Sequence, residues 1–182
     1  MKKIAFLMLT ALPLLTLVAQ EAKKVQEPEY IGIVFSLDPA GTLSPLERQQ
    51  ANIQSKMKAL GYGGVQTSTF FKGLSSPVRF KAGQVIQFVV RLNAPGIEPD
   101  SLVKLEVLKP SKDQRMIVTM KIGSMGIGGV KTSNGEFQRT LNFTNYGEQS
   151  LKFTPAVSLE PGEYVITTMG GQSGFLFGID PQ

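Results

Sequence analysis

From Tyr30 onward the dominant period of apolar positions is two, the repeat of a strand with one covered face. Ile31, Ile33, Phe35 and Leu37 share one side of a first strand, with Gly32, Val34 and Ser36 between them. That strand stops at Asp38-Pro39-Ala40-Gly41, where proline fixes φ and glycine permits the turn. Ile86, Phe88, Val90 and Leu92 alternate with Gln87 and Arg91, and Val103, Leu105 and Val107 with Lys104 and Glu106. Met116, Val118, Met120 and Ile122 oppose Thr119 and Lys121, and Phe137, Leu141 and Phe143 oppose Gln138, Thr140 and Asn142. Asn93-Ala94-Pro95-Gly96, Lys109-Pro110-Ser111, Ser133-Asn134-Gly135, Tyr146-Gly147 and Pro161-Gly162 separate the runs. Short strands punctuated in this way predict an all-β fold, an antiparallel sandwich or barrel.

Residues 45–60 carry two patterns. Ser44-Pro45-Leu46-Glu47 has the form of a helix start, with Ser44 as N-cap, proline at the first position and Glu47 completing a capping box. Leu46, Ile53, Met57 and Leu60 would then form an apolar stripe ending at Gly61. The same stretch also alternates, with Ile53, Ser55, Met57 and Ala59 against Gln54, Lys56 and Lys58. The preceding turn favours a return strand, so at most one short helix is expected, near residues 45–60.

Leu159-Glu160-Pro161-Gly162-Glu163-Tyr164 leads into Val165 and Ile166. A turn directly before a strand lets the Tyr164 ring pack at a sandwich edge while its hydroxyl reaches backbone upstream, as in the tyrosine corner of immunoglobulin-like domains. Leu159, Pro161, Gly162 and Tyr164 are therefore expected to be structural, in an antiparallel, immunoglobulin-like β-sandwich.

The N-terminus changes the picture. Lys2 and Lys3 precede a largely apolar run from Ile4 to Ala19, after which the chain turns polar at Gln20-Glu21-Ala22-Lys23-Lys24. This layout is that of a secretory signal peptide, expected over 1–19. A polar leader over 20–29 and a single domain over 30–182 follow, with no transmembrane segment in the mature form. The formal charge of +5 becomes +3 without Lys2 and Lys3, and basic and acidic residues are interleaved. That balance points to solubility rather than to nucleic acid. The absence of cysteine excludes disulfides and thiolate metal sites, so burial must hold the fold.

Several stretches resemble a group of exported bacterial β-sandwich proteins without assigned activity. They are Pro45-Leu46-Glu47-Arg48-Gln49, the pair Lys56 and Lys58, Gly73 through Phe80, Phe88-Val89-Val90-Arg91, Leu159 through Tyr164, and Phe177-Gly178-Ile179-Asp180. The resemblance implies export and a sandwich fold, and carries no chemistry with it.

With neither His nor Cys, imidazole and thiol catalysis are excluded. Glu47, Glu98, Asp100, Glu106, Glu160 and Glu163 are dispersed, and no pair stands out as flanking one bond. Ser55-Lys56 and Ser111-Lys112 are adjacent, which sends the two side chains to opposite faces of a strand. Gly123-Ser124-Met125-Gly126-Ile127-Gly128-Gly129 lacks the spacing of a phosphate-binding loop. Its Met125 and Ile127 are candidates for a partner contact. Basic residues at 79, 81, 91, 104, 109, 112 and 115 read as solvated strand faces, without the aromatic interleaving of a nucleic-acid platform. Asn142-Phe143-Thr144 and Asp100-Ser101-Leu102 match short glycosylation patterns. No cofactor and no metal is expected. The function expected is a non-catalytic binding or scaffolding module of the bacterial periplasm or cell envelope, engaging an envelope protein or glycan. The alternatives are a small-ligand or glycan binder with a loop-lined cleft, and a carboxylate-dependent hydrolase.

Overall fold

The computed structural model describes residues 25–57, 65–93, 95–122, 130–132, 137–169 and 172–182. In chain order the first elements are β1 (Val34–Leu37), β2 (Leu43–Pro45), β3 (Glu47–Gln50), β4 (Asn52–Met57), β5 (Val65–Lys72), β6 (Arg79–Lys81) and β7 (Gln87–Arg91). A four-residue helix, α1 (Pro99–Leu102), leads into β8 (Val103–Ser111) and β9 (Gln114–Ile122). Then come β10 (Val130–Thr132), β11 (Gln138–Arg139), β12 (Leu141–Tyr146), β13 (Ser150–Pro155), β14 (Gly162–Thr168) and β15 (Ser173–Asp180).

Two sheets pack face to face, as expected of an all-β sandwich. One has the order β12-β13-β7-β1-β2, and the other the order β3-β15-β14-β8-β9-β5-β4, with β6, β10 and β11 added at its sides. Among the described strands the pairings are antiparallel except for β6 on β15, and an isolated parallel bridge joins Ile31 to Arg91. In the second sheet, β3 and β4 are one run interrupted only at Ala51, whose amide donates to the Gln172 carbonyl at 3.0 Å. The first half of the run pairs with β15 and the second with β5, at opposite ends of the sheet order. The sheet therefore curls back on itself and encloses a second interior.

This topology gives β14 and β15 apolar cover on both faces. One face joins Phe88 and Phe153 of the first sheet through Tyr164, Ile166, Phe175 and Phe177. The other meets Phe71, Leu108, Ile117 and Phe137 inside the curl through Val165 and Leu176. Strands covered on both sides lose alternation and become continuous apolar runs, which explains Tyr164-Val165-Ile166 and Phe175 through Ile179. The Phe177 ring organises the first core. It stacks on Tyr164 at 5.5 Å and 13°, and meets Phe80 edge-on at 5.7 Å. Close layering also dictates two glycines. A Cβ on Gly174 would lie 2.5 Å from the Phe71 ring, and one on Gly178 would collide with Arg79 and Glu163.

Over residues 43–57 the return strand that the sequence favours is present, as β2, β3 and β4, and the short helix of the described residues lies at Pro99–Leu102. A helical stripe needs Leu46 and Ile53 on one side, whereas Leu46 is buried and Ile53 is 70% exposed. In β1 the buried side is Val34 and Ser36, not the face of Ile31, Ile33, Phe35 and Leu37. The register decides this, because Val34 pairs with Val90 and Ser36 with Phe88, and cross-strand partners share a face. Among the described side chains of β9, Arg115 and Ile117 are buried and Met116 is half-buried, because Arg115 pairs with Phe71, which faces the enclosed interior. The leader is also engaged before Tyr30, since Pro28 is buried and Glu27 is hydrogen-bonded.

Candidate functional site

One pole of the sandwich combines recesses with exposed apolar side chains. A cleft of about 540 Å³ lies among Ile31, Arg91, Leu92, Ile97, Leu102 and Gln149. A second, of about 470 Å³, opens on the other side of Ile31 among Ile33, Arg48, Gln50, Met169 and Phe175. Ile31, Ile97 and Met169 are 59%, 45% and 66% exposed. Tyr30, next to the dividing residue, is 64% exposed.

Local chemistry fixes this pole. The Gly32 amide donates to the Arg91 carbonyl at 2.8 Å, and the Met169 amide to the Leu102 carbonyl at 2.7 Å. Pro99 opens α1, whose Leu102 is buried while Ile97 stays outside. The carboxylate of Glu27 accepts bonds from the amides of Glu148 at 2.8 Å and Gln149 at 3.0 Å, and from Ser150 Oγ at 2.6 Å. The Ser150 bond, joined by those amides, holds the Glu27 carboxyl below the usual range and straps the start of the fold to the β12–β13 turn. Arg91 bonds Gln149 Oε1 and the Glu29 carbonyl, so its guanidinium is fixed at the rim of the larger cleft.

A different arrangement closes the enclosed interior of the second sheet. Arg115 is fully buried and donates to Glu163 at 3.0 Å, to Glu47 at 3.1 Å, and to the carbonyls of Lys72 at 2.9 Å and Gly73 at 3.1 Å. Glu163 also pairs with Arg79 and accepts the Ser76 amide at 2.8 Å. Arg79 in turn reaches Asp180, and that hydrogen bond is the main reason its guanidinium is held firmly charged. Burial works to raise the Glu47 carboxyl, but hydrogen bonds from Arg115, Ser76 and Gln49 outweigh it and hold the group below the ordinary range. Glu47 and Glu163 are thus counter-ions of an internal arginine. Glu106 differs, since burial raises its carboxyl and Lys104 opposes this only in part.

The other expected residues are distributed as follows. Tyr164 is 2% exposed and its Oη donates to the Glu160 carbonyl at 2.8 Å, with Leu159 buried beside the same core. Pro161 and Gly162 form the bend into β14. Met125 and Ile127 lie outside the described residues. Ser101 is exposed on α1, and Asn142 is exposed on β12. The described residues contain no cluster of three or more acidic, histidine or cysteine side chains placed for a metal, and no helix long and apolar enough to cross a membrane. Arg115, expected on a solvated strand face, is instead fully buried in phase with Ile117, because its partners Glu47 and Glu163 neutralise it there; the residues that sequence reasoning missed are the trio of Ile31, Ile97 and Met169.

Fold and geometry together define an all-β, sandwich-like protein with one interior sealed by ion pairs and one pole left apolar and recessed. The chain matches no family model, no curated protein and no solved structure.

Proposed function

We propose that this protein is an exported, non-catalytic binding module of the bacterial periplasm or cell envelope, and that it engages a protein partner through the pole divided by Ile31. The observation behind this reading is the trio of exposed apolar side chains, Ile31, Ile97 and Met169, beside two clefts on a rigidly bonded frame. Contiguous apolar exposure rimmed by polar groups is the mark of an interaction site. Around the larger cleft, Asn93, Asn145 and Gln149 offer amides that can bond an extended polypeptide. Export rests on the basic and apolar layout of residues 1–19, and kinship with immunoglobulin-like sandwiches rests on the Tyr164 corner.

A small-ligand or glycan reading has less support. No aromatic ring lines the larger cleft, and Phe175 in the smaller one is only 2% exposed. Among the described residues, Tyr30 is the exposed aromatic ring on which a sugar could stack. The hydrolase reading loses Glu47 and Glu163 to Arg115. A photo-cross-linking residue placed at Ile31 or Ile97 in envelope preparations tests the proposal. Specific protein adducts from these sites, and none from Val85 or Val157 (also exposed), are the expected result. Equal labelling from all four positions, or a soluble glycan that abolishes the adducts, would overturn it.

A further inference from the structure

The two edges of the first sheet end differently. β2, at one edge, is three residues long and closes with a proline, which blunts it. β12, at the other, is six residues long, and Leu141-Asn142-Phe143-Thr144-Asn145-Tyr146 holds no charge, proline or glycine. Its hydrogen-bonding phase is fixed by the pairing with β13. The Ala156 amide donates to the Thr140 carbonyl at 2.9 Å, one step beyond the register that sets Leu141 opposite Pro155. Bonded pairs alternate along an antiparallel ladder, so Asn142, Thr144 and Tyr146 turn their backbone groups towards β13. Leu141, Phe143 and Asn145 turn theirs outward, where no strand among the described residues pairs with them.

The side chains alternate as well. Phe143 shares the inner face with its cross-strand partner Phe153, their rings 5.7 Å apart, and Phe153 stacks on Phe88 at 5.5 Å. This aromatic row ends at the sheet edge on Phe143, which is only half-buried. Asn142 and Thr144, on the outer face, are exposed.

We propose that β12 pairs with β12 of a second copy of this chain, antiparallel, about a two-fold axis through Phe143. Outward groups bond only to outward groups, and the register that sets Phe143 opposite Phe143 uses all of them, with Leu141 of each copy opposite Asn145 of the other. Each of these pairs exchanges two bonds, about six in all. Any other register of this kind carries an outward residue of each copy past the end of the strand. The side chains agree with the choice. The two Phe143 rings meet across the axis and continue the aromatic row, and Asn142 meets Thr144 of the other copy. An uncharged strand also sets no like charges against each other. Another protein's strand would fill the same bonds, but β12 already carries the complement of its own side chains. The pairing does not use Ile31, Ile97 or Met169, so it stands whether or not that pole engages a partner.

The test is analytical ultracentrifugation of the chain from Gln20, which contains every described element, over roughly a hundredfold range of concentration. A reversible equilibrium of monomer and dimer is expected. Asn145→Pro deletes one outward N–H from each copy and none from the ladder to β13, so the dimer Kd should rise roughly thirtyfold. Asn142→Lys with Thr144→Lys sets like charges opposite one another and should give a monomer, as should Asn142→Glu with Thr144→Glu, while the two double variants mixed should dimerise again. Urea melts matching the parent establish that these variants fold. The register is read separately through disulfides, since the chain has no cysteine of its own. Positions 142 and 144 of opposite copies form a non-bonded pair with Cα atoms about 4.5 Å apart, within disulfide reach. Position 142 lies about 8 Å from its own copy, beyond that reach, and so does position 144. Asn142→Cys mixed with Thr144→Cys should therefore link into a covalent dimer on oxidation, and neither variant should do so alone. A parent chain that stays monomeric would overturn the proposal, including one whose edge instead captures another protein's strand. So would a dimer that Asn145→Pro leaves unchanged, or Asn142→Cys linking to itself as readily as to Thr144→Cys.

Discussion

Arg115 sits where three strands and a turn converge, so its removal is the sharpest perturbation of the enclosed interior. Its side chain is 0% exposed, and its partners Glu47 and Glu163 are only 16% and 13% exposed. Arg115→Met keeps apolar volume but strips Glu47 of its arginine and takes a donor from the carbonyls of Lys72 and Gly73, of which Lys72 keeps the Gln49 side-chain amide at 3.1 Å. Glu163 retains Arg79 and the Ser76 amide, so most of the damage falls on Glu47. Breaking a buried pair by removing one partner costs about 3–5 kcal/mol. A domain whose whole stability is about 5–15 kcal/mol would show that loss plainly in a urea melt.

The sign of the pH dependence adds a second test. In the parent chain the Glu47 carboxyl is held below its ordinary value, so its contribution is present above the unfolded glutamate pKa of about 4.3 and is lost as pH falls through the folded value. In Arg115→Met the same carboxyl is buried without its cation and takes a proton more readily, so the deficit should shrink as pH is lowered from 7 towards 4.5. Arg115→Met combined with Glu47→Gln and Glu163→Gln removes the stranded charge and should recover much of the loss at pH 7. Arg115→Met within about 1 kcal/mol of the parent at pH 7, or a deficit unchanged by pH, would refute the account.

Two further outcomes follow from single side chains. Tyr164→Phe deletes the bond to the Glu160 carbonyl and should cost about 0.5–1.5 kcal/mol, whereas Tyr164→Ala also opens a cavity against Phe177 and should cost about 3 kcal/mol or more; urea melts give both values, and an Ala variant as stable as the parent would deny the corner its structural role. For Glu106, burial raises the carboxyl, so the folded state favours the protonated form and loses stability as pH rises from the unfolded value of about 4.3 through the folded one. Glu106→Gln should therefore raise the denaturation midpoint at pH 7 and make no difference near pH 4, and a lower midpoint at pH 7 would refute this.

The sandwich was legible because strands such as β8 bury one face at a time and the turns carry Pro and Gly. Val103 and Leu105, with exposed Lys104 between them, declare their side by alternation alone. The curl was not legible. It depends on β3 and β4 pairing with opposite ends of one sheet, a long-range choice that local pattern does not encode. That choice turns Arg115 inward beside Ile117, where the apolar phase of Met116 and Val118 had suggested the reverse. It also gives Glu47 a partner 68 residues away, whereas locally Glu47 resembles the end of a capping box. β1 misleads for a related reason. Ile31, Ile33, Phe35 and Leu37 are the more apolar side, but pairing with β7 commits Val34 and Ser36 to the core and leaves Ile31 outside.

That apparent misplacement of Ile31 bears on function. A strand whose apolar side faces outward at one end forgoes burial there, and each large aliphatic side chain left exposed forgoes about 1.5–3 kcal/mol. The rest of the molecule offsets this through β14 and β15, which are covered on both faces, and through the Arg115 cluster, which joins β3, β9 and β14. Stability is thus concentrated away from Ile31, Ile97 and Met169. Substitutions at these three positions should leave a urea melt within about 0.5 kcal/mol of the parent while weakening capture of a partner. An apolar core position would behave in the opposite way, so measuring both quantities on Ile31→Ser and Ile97→Ser separates a docking pole from a defect in packing.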